Sequence, residues 1–350
     1  MTNRERILAV VQGRMPDRVP FVQYSGLAAP NDEVWQHVGR DAVGILRWSS
    51  VHALLYPHCK SESQDFETDG QRRRRTTIHT PGGSIFEERI FEPVYHSSSV
   101  CKHYVETPAD LDVFIAYCQD AVVEPRLERY HQAAAELGDD GLPLITVERT
   151  PYQQLWVQWA GLDNLTYLMA DCTDRVQLVM DLLAARARRI YEIASQSDAP
   201  FIDVPDNITA PTIGPRLFEQ HCVPRYNELA DMLGERPVFV HMDGDLRPLW
   251  DAISASKVRG IDSLAPPPDN DTSVADAVAM WPETRLFVNF PSSVHLRPAE
   301  QVYEQAMELL TQGGHTGRLQ IQISENVPRD RWRVSFPAIA KAVQDFGRPA

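Results

Sequence analysis

Short apolar runs separated by long amphipathic stretches organise this chain. The runs at 19–24, 44–48, 144–148, 201–205, 238–242, 261–265, 286–290 and 319–324 are brief and lack strict apolar/polar alternation. That pattern predicts strands buried on both faces, as in a parallel sheet. Between them, 174–195, 214–233 and 298–311 carry apolar positions at helical spacing. Pro298 stands near a first turn, and Gly313-Gly314 follows a last one. Eight strands alternating with helices predict the α/β class and a (β/α)8 TIM barrel, as one domain over 1–350. The first half departs from this regularity. Thr76–Thr80, the turn Pro81-Gly82-Gly83 and 84–91 read as a hairpin. The region 51–107 is therefore expected to be a hairpin-rich insertion after the second strand, packed over the barrel mouth.

In such barrels chemistry gathers where the strands end, at the C-terminal rim. The residues closing the predicted strands are Tyr24, Trp48, Glu148, Asp206-Asn207, His241 with Asp243, Asn289 and Glu325-Asn326. Loops favour polar residues in any case, but carboxylates concentrated about one histidine are harder to assign to chance. The stretch VFVHMDGDL, 238–246, carries that histidine.

Composition narrows the classes. A formal charge of −14 excludes a basic face able to wrap a nucleic-acid backbone. The run Arg72-Arg73-Arg74-Arg75 has no accompanying helix or aromatic series and reads as a solvated hairpin surface. No stretch approaches the roughly 18 apolar residues of a membrane span, and the N-terminus is polar. A cytoplasmic protein acting on a small molecule, with neither nucleic-acid nor membrane partner, is the expectation. Cys59, Cys101, Cys118, Cys172 and Cys222 never form a C-x-x-C pair, and all precede residue 241. This spacing fits reduced thiols and excludes a zinc ribbon.

The opening Thr2-Asn3-Arg4-Glu5-Arg6-Ile7-Leu8, with Gly13-Arg14-Met15-Pro16-Asp17-Arg18-Val19-Pro20, resembles the start of the uroporphyrinogen decarboxylase superfamily. Thr80-Pro81-Gly82-Gly83 resembles its central hairpin, and Gly161-Leu162-Asp163-Asn164 the helix after its third strand. Ile213-Gly214-Pro215-Arg216-Leu217-Phe218-Glu219 resembles the stretch after its fourth. The matches keep their order over essentially the whole chain. The resemblance implies a (β/α)8 barrel, in agreement with the strand count.

Two chemistries occur in that superfamily. Its decarboxylases bind propionates through N-terminal arginines and use an aspartate and a tyrosine. Here no arginine follows Pro20 until Arg40, and Val157 stands where the tyrosine falls. The resemblance therefore implies the cobalamin-dependent methyltransferase-like branch. That branch holds zinc with a histidine, a cysteine two residues later and a cysteine near strand eight. His241 matches the histidine, Asp243 stands for the first cysteine, and Glu325 lies near the position of the second. A divalent metal, zinc in the family, and a corrinoid carried by a partner protein are the implied cofactors. The implied reaction moves a methyl or similar small group between a corrinoid protein, or a methylated small molecule, and an activated acceptor.

The residues themselves leave alternatives open. His241 and Asp243 lie two apart, so on an ideal strand both face one ion. With Glu325 they would form a harder set than thiolates, closer to His/carboxylate sites. Asp245 and Asn326 are candidates for orienting the ligands. A metal-free site would use His241 in acid/base work with Asp206 or Glu148, as a lyase or hydrolase. The plainest alternative makes His241 and Asp243 a hydrogen-bonded pair, with Asp243 capping a helix near Leu246, in a barrel that only binds a ligand. Catalytic roles are thus expected of His241, Asp243, Asp206 and Glu148. Substrate contacts are expected of Tyr24, Asp203, Asn207, Tyr152, Asn289 and Asn326.

Overall fold

The computed structural model describes residues 1–92 and 97–347. The chain forms two compact units. One comprises Met1–Val51, Leu127–Val147 and Ala194–Ala350, the other His52–Arg126 and Glu148–Ile193.

The first unit holds eight parallel strands: β1 (Phe21–Tyr24), β2 (Gly44–Ser49), β3 (Gly141–Ile145), β4 (Ile202–Val204), β5 (Val238–His241), β6 (Gly260–Leu264), β7 (Arg285–Asn289) and β8 (Leu319–Ile323). They pair in the order β4-β5-β6-β7-β8-β1-β2-β3. A single bridge between Thr146 and Asp203, with the Val147 amide donating to the Asp203 carbonyl at 3.0 Å, nearly closes the ring. With helices between successive strands, this is the expected (β/α)8 barrel.

Two boundaries differ from the sequence reading. The third strand begins at Gly141 and ends at Ile145, three residues earlier than 144–148. Pro143 sits inside the strand opposite Arg47. Gly141 lies so close to β2 that a Cβ there would meet the Ile45 carbonyl oxygen at 1.8 Å. The predicted helix 214–233 is three pieces, Ala210–Leu217, a π turn Phe218–Cys222 and Val223–Leu233. Pro215 and Pro224 lack the amide a continuous ladder needs.

Alternation places every second strand residue inside the barrel. A lower layer is apolar but for Gln320 on β8, with Val22, Leu46, Leu142, Leu144, Phe201, Phe239 and Phe287 in one buried cluster with Tyr24. Two residues further along the same strands the interior turns polar: Asp203, His241, Asp262, Asn289 and Gln322 are all buried. Gly260 permits the transition, because a Cβ there would lie 2.3 Å from the Phe239 ring.

The opposite end of the barrel is closed by arginines at the starts of β5 to β8. Arg236 donates to the carbonyls of Ser195, Ser197 and Ala199. Arg259 donates to Ser256 and Val258, Arg285 to Val11, and Arg318 to Trp281 and Thr284. Helix and loop ends leave such carbonyls without an intrahelical partner, and the guanidinium fork supplies one. On the first helix, Asn3–Val11, the buried Arg6 joins Asp17 and Asp41, each at 2.7 Å.

The second unit contains the expected hairpins. Strands Lys60–Thr68, Gln71–Thr80, Gly83–Glu92 and Ser97–Lys102 form one antiparallel sheet, turned at Pro81-Gly82. The arginine run lies in it as a surface ladder, Arg72 and Arg74 on Asp65 and Arg75 on Glu88. Helix Pro108–Asp120 packs on this sheet, and its Phe114 and Tyr117 meet Trp159. The five cysteines are all free, and Cys222 alone lies in the barrel unit. Among the described residues no helix is long and apolar enough to cross a membrane.

Two outcomes follow from these contacts. Gly260→Val drives a branched side chain into Phe239 and should lower stability by about 1–3 kcal/mol in denaturant titration. Burial opposes ionisation of Asp17, but hydrogen bonds from Arg6 and the N-terminal ammonium outweigh it and bring its pKa from 3.8 to about 2. A depressed folded pKa contributes stability above the unfolded value, lost as pH falls. Unfolding measured from pH 5 to pH 2 should therefore show a steep acid limb that Asp17→Asn flattens.

Candidate active site

The site begins with two polar residues on neighbouring strands. His241 ends β5 and Asp262 lies on β6, paired in register, so both project into the upper barrel layer. The His241 Nδ1–H donates to Asp262 Oδ2 at 3.1 Å, and Tyr24 donates its hydroxyl to the same oxygen. Gln322 Nε2 donates to the other oxygen at 2.8 Å. Asp262 is thus a fully shielded acceptor with three donors from β1, β5 and β8. Burial, then the charges of Asp262 and Asp203, push the Tyr24 phenol well above its ordinary pKa, so it stays a donor.

With the Nδ1 proton fixed on Asp262, the other ring nitrogen offers its lone pair outward. Nε2 lies 3.7 Å from Asp243 Oδ2 and 3.6 Å from Glu325 Oε1. These separations exceed a hydrogen bond. They match neighbouring ligands of one small cation: bonds of about 2.1 Å at tetrahedral angles leave ligand atoms roughly 3.4 Å apart. Oxygen and nitrogen atoms of His241, Asp243 and Glu325 all lie within 4.8 Å of one another. The set could hold a metal ion, with Asp262 orienting the histidine as carboxylates do in histidine–metal triads. Burial disfavours charge on His241, yet the facing carboxylates of Asp243, Asp262 and Glu325 outweigh it and raise its pKa well above the ordinary value. The same field that favours a proton on Nε2 favours a metal ion there.

Asp243 is no longer on the strand, which ends at His241. Asn207 holds it instead, donating Nδ2 to Asp243 Oδ2 at 2.9 Å, while Asn270 donates to its carbonyl at 2.9 Å. Asn207 adopts φ 53, a left-handed conformation asparagine tolerates. Burial works against the Asp243 carboxylate, but His241 and Asn207 outweigh it and lower its pKa. The capping role suggested for Asp243 belongs to Asp271, whose carboxylate accepts from the Leu246 and Arg247 amides. This corrects that alternative and leaves Asp243 free to face His241.

The remaining candidates divide. Asn289 accepts from the Ser324 amide and hydroxyl at 3.0 and 3.1 Å, fixing the chain just before Glu325. Ser263, at φ 61 where the β6 ladder skips a residue, turns inward to donate to Ser324 at 2.5 Å. Asp203 is buried on β4, and its charge reaches Tyr24. Asp206 is buried and accepts from the Tyr226 hydroxyl at 2.5 Å. Asp245 accepts from the Asp271 amide, and Asn326 is exposed with no described hydrogen bond. In the second unit, Glu148 is ion-paired at 2.7 Å with the buried Arg186, and Tyr152 is buried in the short helix Pro151–Gln154. The sequence reading missed Asp262 and Gln322. Their signal was a lone aspartate within GIDSL and the alternation of LQIQI, both read as ordinary strand.

Comparison with known proteins bears on the family and the fold. A family model described as "Uroporphyrinogen decarboxylase (URO-D)" matches residues 93–330. Among solved structures, a methyltransferase from Methanosarcina mazei aligns over 99% of this chain and 99% of its own, with TM-score 0.59 and 14% sequence identity. At that identity the likeness shows a shared fold. No curated protein matches the chain.

Asp262→Ala removes the acceptor of three buried donors and should cost about 3 kcal/mol or more in chemical denaturation. Tyr24→Phe leaves Asp262 two donors and should cost only about 1 kcal/mol.

Proposed function

The chain belongs to the uroporphyrinogen decarboxylase family, and on that premise we propose that it is a metal-assisted methyltransferase-like enzyme. The observation carrying this reading is the convergence of the His241 Nε2 lone pair with the Asp243 and Glu325 carboxylates at co-ligand spacing. Three acceptors facing one point repel each other unless a cation lies between them. His241, Asp243 and Glu325 would hold it. A bound divalent ion would act as a Lewis acid, lowering the pKa of an acceptor thiol or hydroxyl so that it reacts as an anion.

The other residues have definable work around that centre. Asp262 keeps the Nδ1 proton in place, so that Nε2 stays directed at Asp243 and Glu325, where it would help hold an ion. Asn207 orients Asp243, and Asn289 with Ser324 sets the approach of Glu325. No cysteine of the chain follows Cys222, so the set is nitrogen and oxygen throughout. Such a site is harder than one with thiolates and suits zinc as well as other divalent ions. The methyl group would come from a corrinoid protein or a methylated small molecule, in keeping with the methyltransferase that shares the fold. The alternative supported by a separate observation is metal-free acid/base chemistry, because the raised pKa of His241 also favours an imidazolium.

Protein purified without chelator should carry about one equivalent of divalent metal by elemental analysis. His241→Ala and Glu325→Ala should each lower metal affinity at least tenfold, and Asp262→Asn by about 10–100-fold. Metal-free protein that takes up no added zinc, with His241 protonated by NMR, would support the acid/base reading instead.

A further inference from the structure

Trp48 stands out among the large apolar side chains. It lies two residues beyond the core residue Leu46 on β2, opposite Leu144, and alternation turns it into the barrel. An inward-facing tryptophan would ordinarily be covered. This one is 47% exposed near the C-terminal end of β2. Its ring meets Tyr24 edge-on, with centroids 5.7 Å apart and planes at 75°. Tyr24 in turn touches Asp262 and lies 3.4 Å from His241 Nδ1. One chain of contacts therefore links an exposed indole face to the candidate ligand set.

The charge at the far end of this chain of contacts is negative. Asp243, Asp262 and Glu325 surround His241, and their described partners are His241, Asn207, Tyr24 and Gln322, without a lysine or arginine. Three carboxylates against one imidazolium, or against one divalent ion, leave a net negative wall in either state. An exposed indole joined through Tyr24 to a carboxylate cluster without a lysine or arginine partner attracts a cation that is poorly hydrated and covered in methyl groups. Such a cation gains from the ring quadrupole and from the field together. A hydrated ammonium would gain less, and an anion would be repelled.

We propose that the exposed face of Trp48, backed edge-on by the buried Tyr24, receives a methylated onium cation, of the quaternary ammonium type, as the substrate class of this site. This rests on the methyl-transfer reading for its place in a reaction, but the binding itself does not require the metal.

Choline and its neutral isostere 3,3-dimethylbutan-1-ol serve as probes for calorimetric titration of the full-length protein, wild type and variants. Metal content is measured on every sample. Choline should bind at least tenfold more tightly than the neutral alcohol. Trp48→Leu, which keeps apolar area but removes the π face, should weaken choline about tenfold, and Trp48→Phe should retain most of the affinity. Thermal melts matching wild type show that the variants fold, as expected for a half-exposed side chain. Equal binding of the two probes, no binding of choline, or unchanged affinity in Trp48→Leu overturns the proposal. Choline bound normally by a protein that takes up no metal contradicts the proposed function and leaves the Trp48 site standing. Full metal loading without choline binding does the reverse.

Discussion

The candidate site depends on one buried carboxylate. Asp262 accepts from Tyr24, His241 and Gln322, which come from β1, β5 and β8. A carboxylate removed from water requires such donors, and satisfying it fixes where each donor can stand. The consequence for His241 is chemical. Its Nδ1 proton is committed, so its Nε2 lone pair must face Asp243 and Glu325. Without Asp262 the imidazole could rotate or change tautomer, and the three acceptors would not share a point.

That arrangement is possible only because the barrel changes character along its axis. The lower interior is built on Phe201, Phe239 and Phe287 with Gln320 its polar exception, and Gly260 leaves space for the Phe239 ring. It supplies hydrophobic stabilisation that a polar upper layer does not provide. At the other end, arginines occupy the carbonyls left open by helix and loop ends. Both the rigidity and the polarity of the site therefore follow from how the parallel strands are filled, layer by layer.

Much of this was legible in the sequence. Apolar runs at regular spacing gave the barrel, because parallel strands buried on both faces leave that trace. His241, Asp243 and Glu325 were legible because their place in a known family pattern marked them, with carboxylates where thiolates stand. Asp262 and Gln322 were not. A single polar residue in an apolar strand carries no sign of which strand will face it; only the curvature of the sheet brings Gln322 on β8 to Asp262 on β6 across β7, and only the pairing of β1 with β8 brings Tyr24 there. The capping role of Asp271 was hidden for a similar reason, since it reaches Leu246 from 25 residues away. Register in the third strand was obscured by Pro143, which is accommodated inside a parallel strand.

The central claim is a cation held by one imidazole and carboxylates, without sulfur. X-ray absorption at the metal edge of the purified protein reads that ligand set directly. A first coordination sphere of nitrogen and oxygen atoms near 2.0–2.2 Å with imidazole scattering, lost in His241→Ala, is the expected result. A sulfur scatterer near 2.3 Å, or an ion whose spectrum is unchanged in His241→Ala, would contradict it.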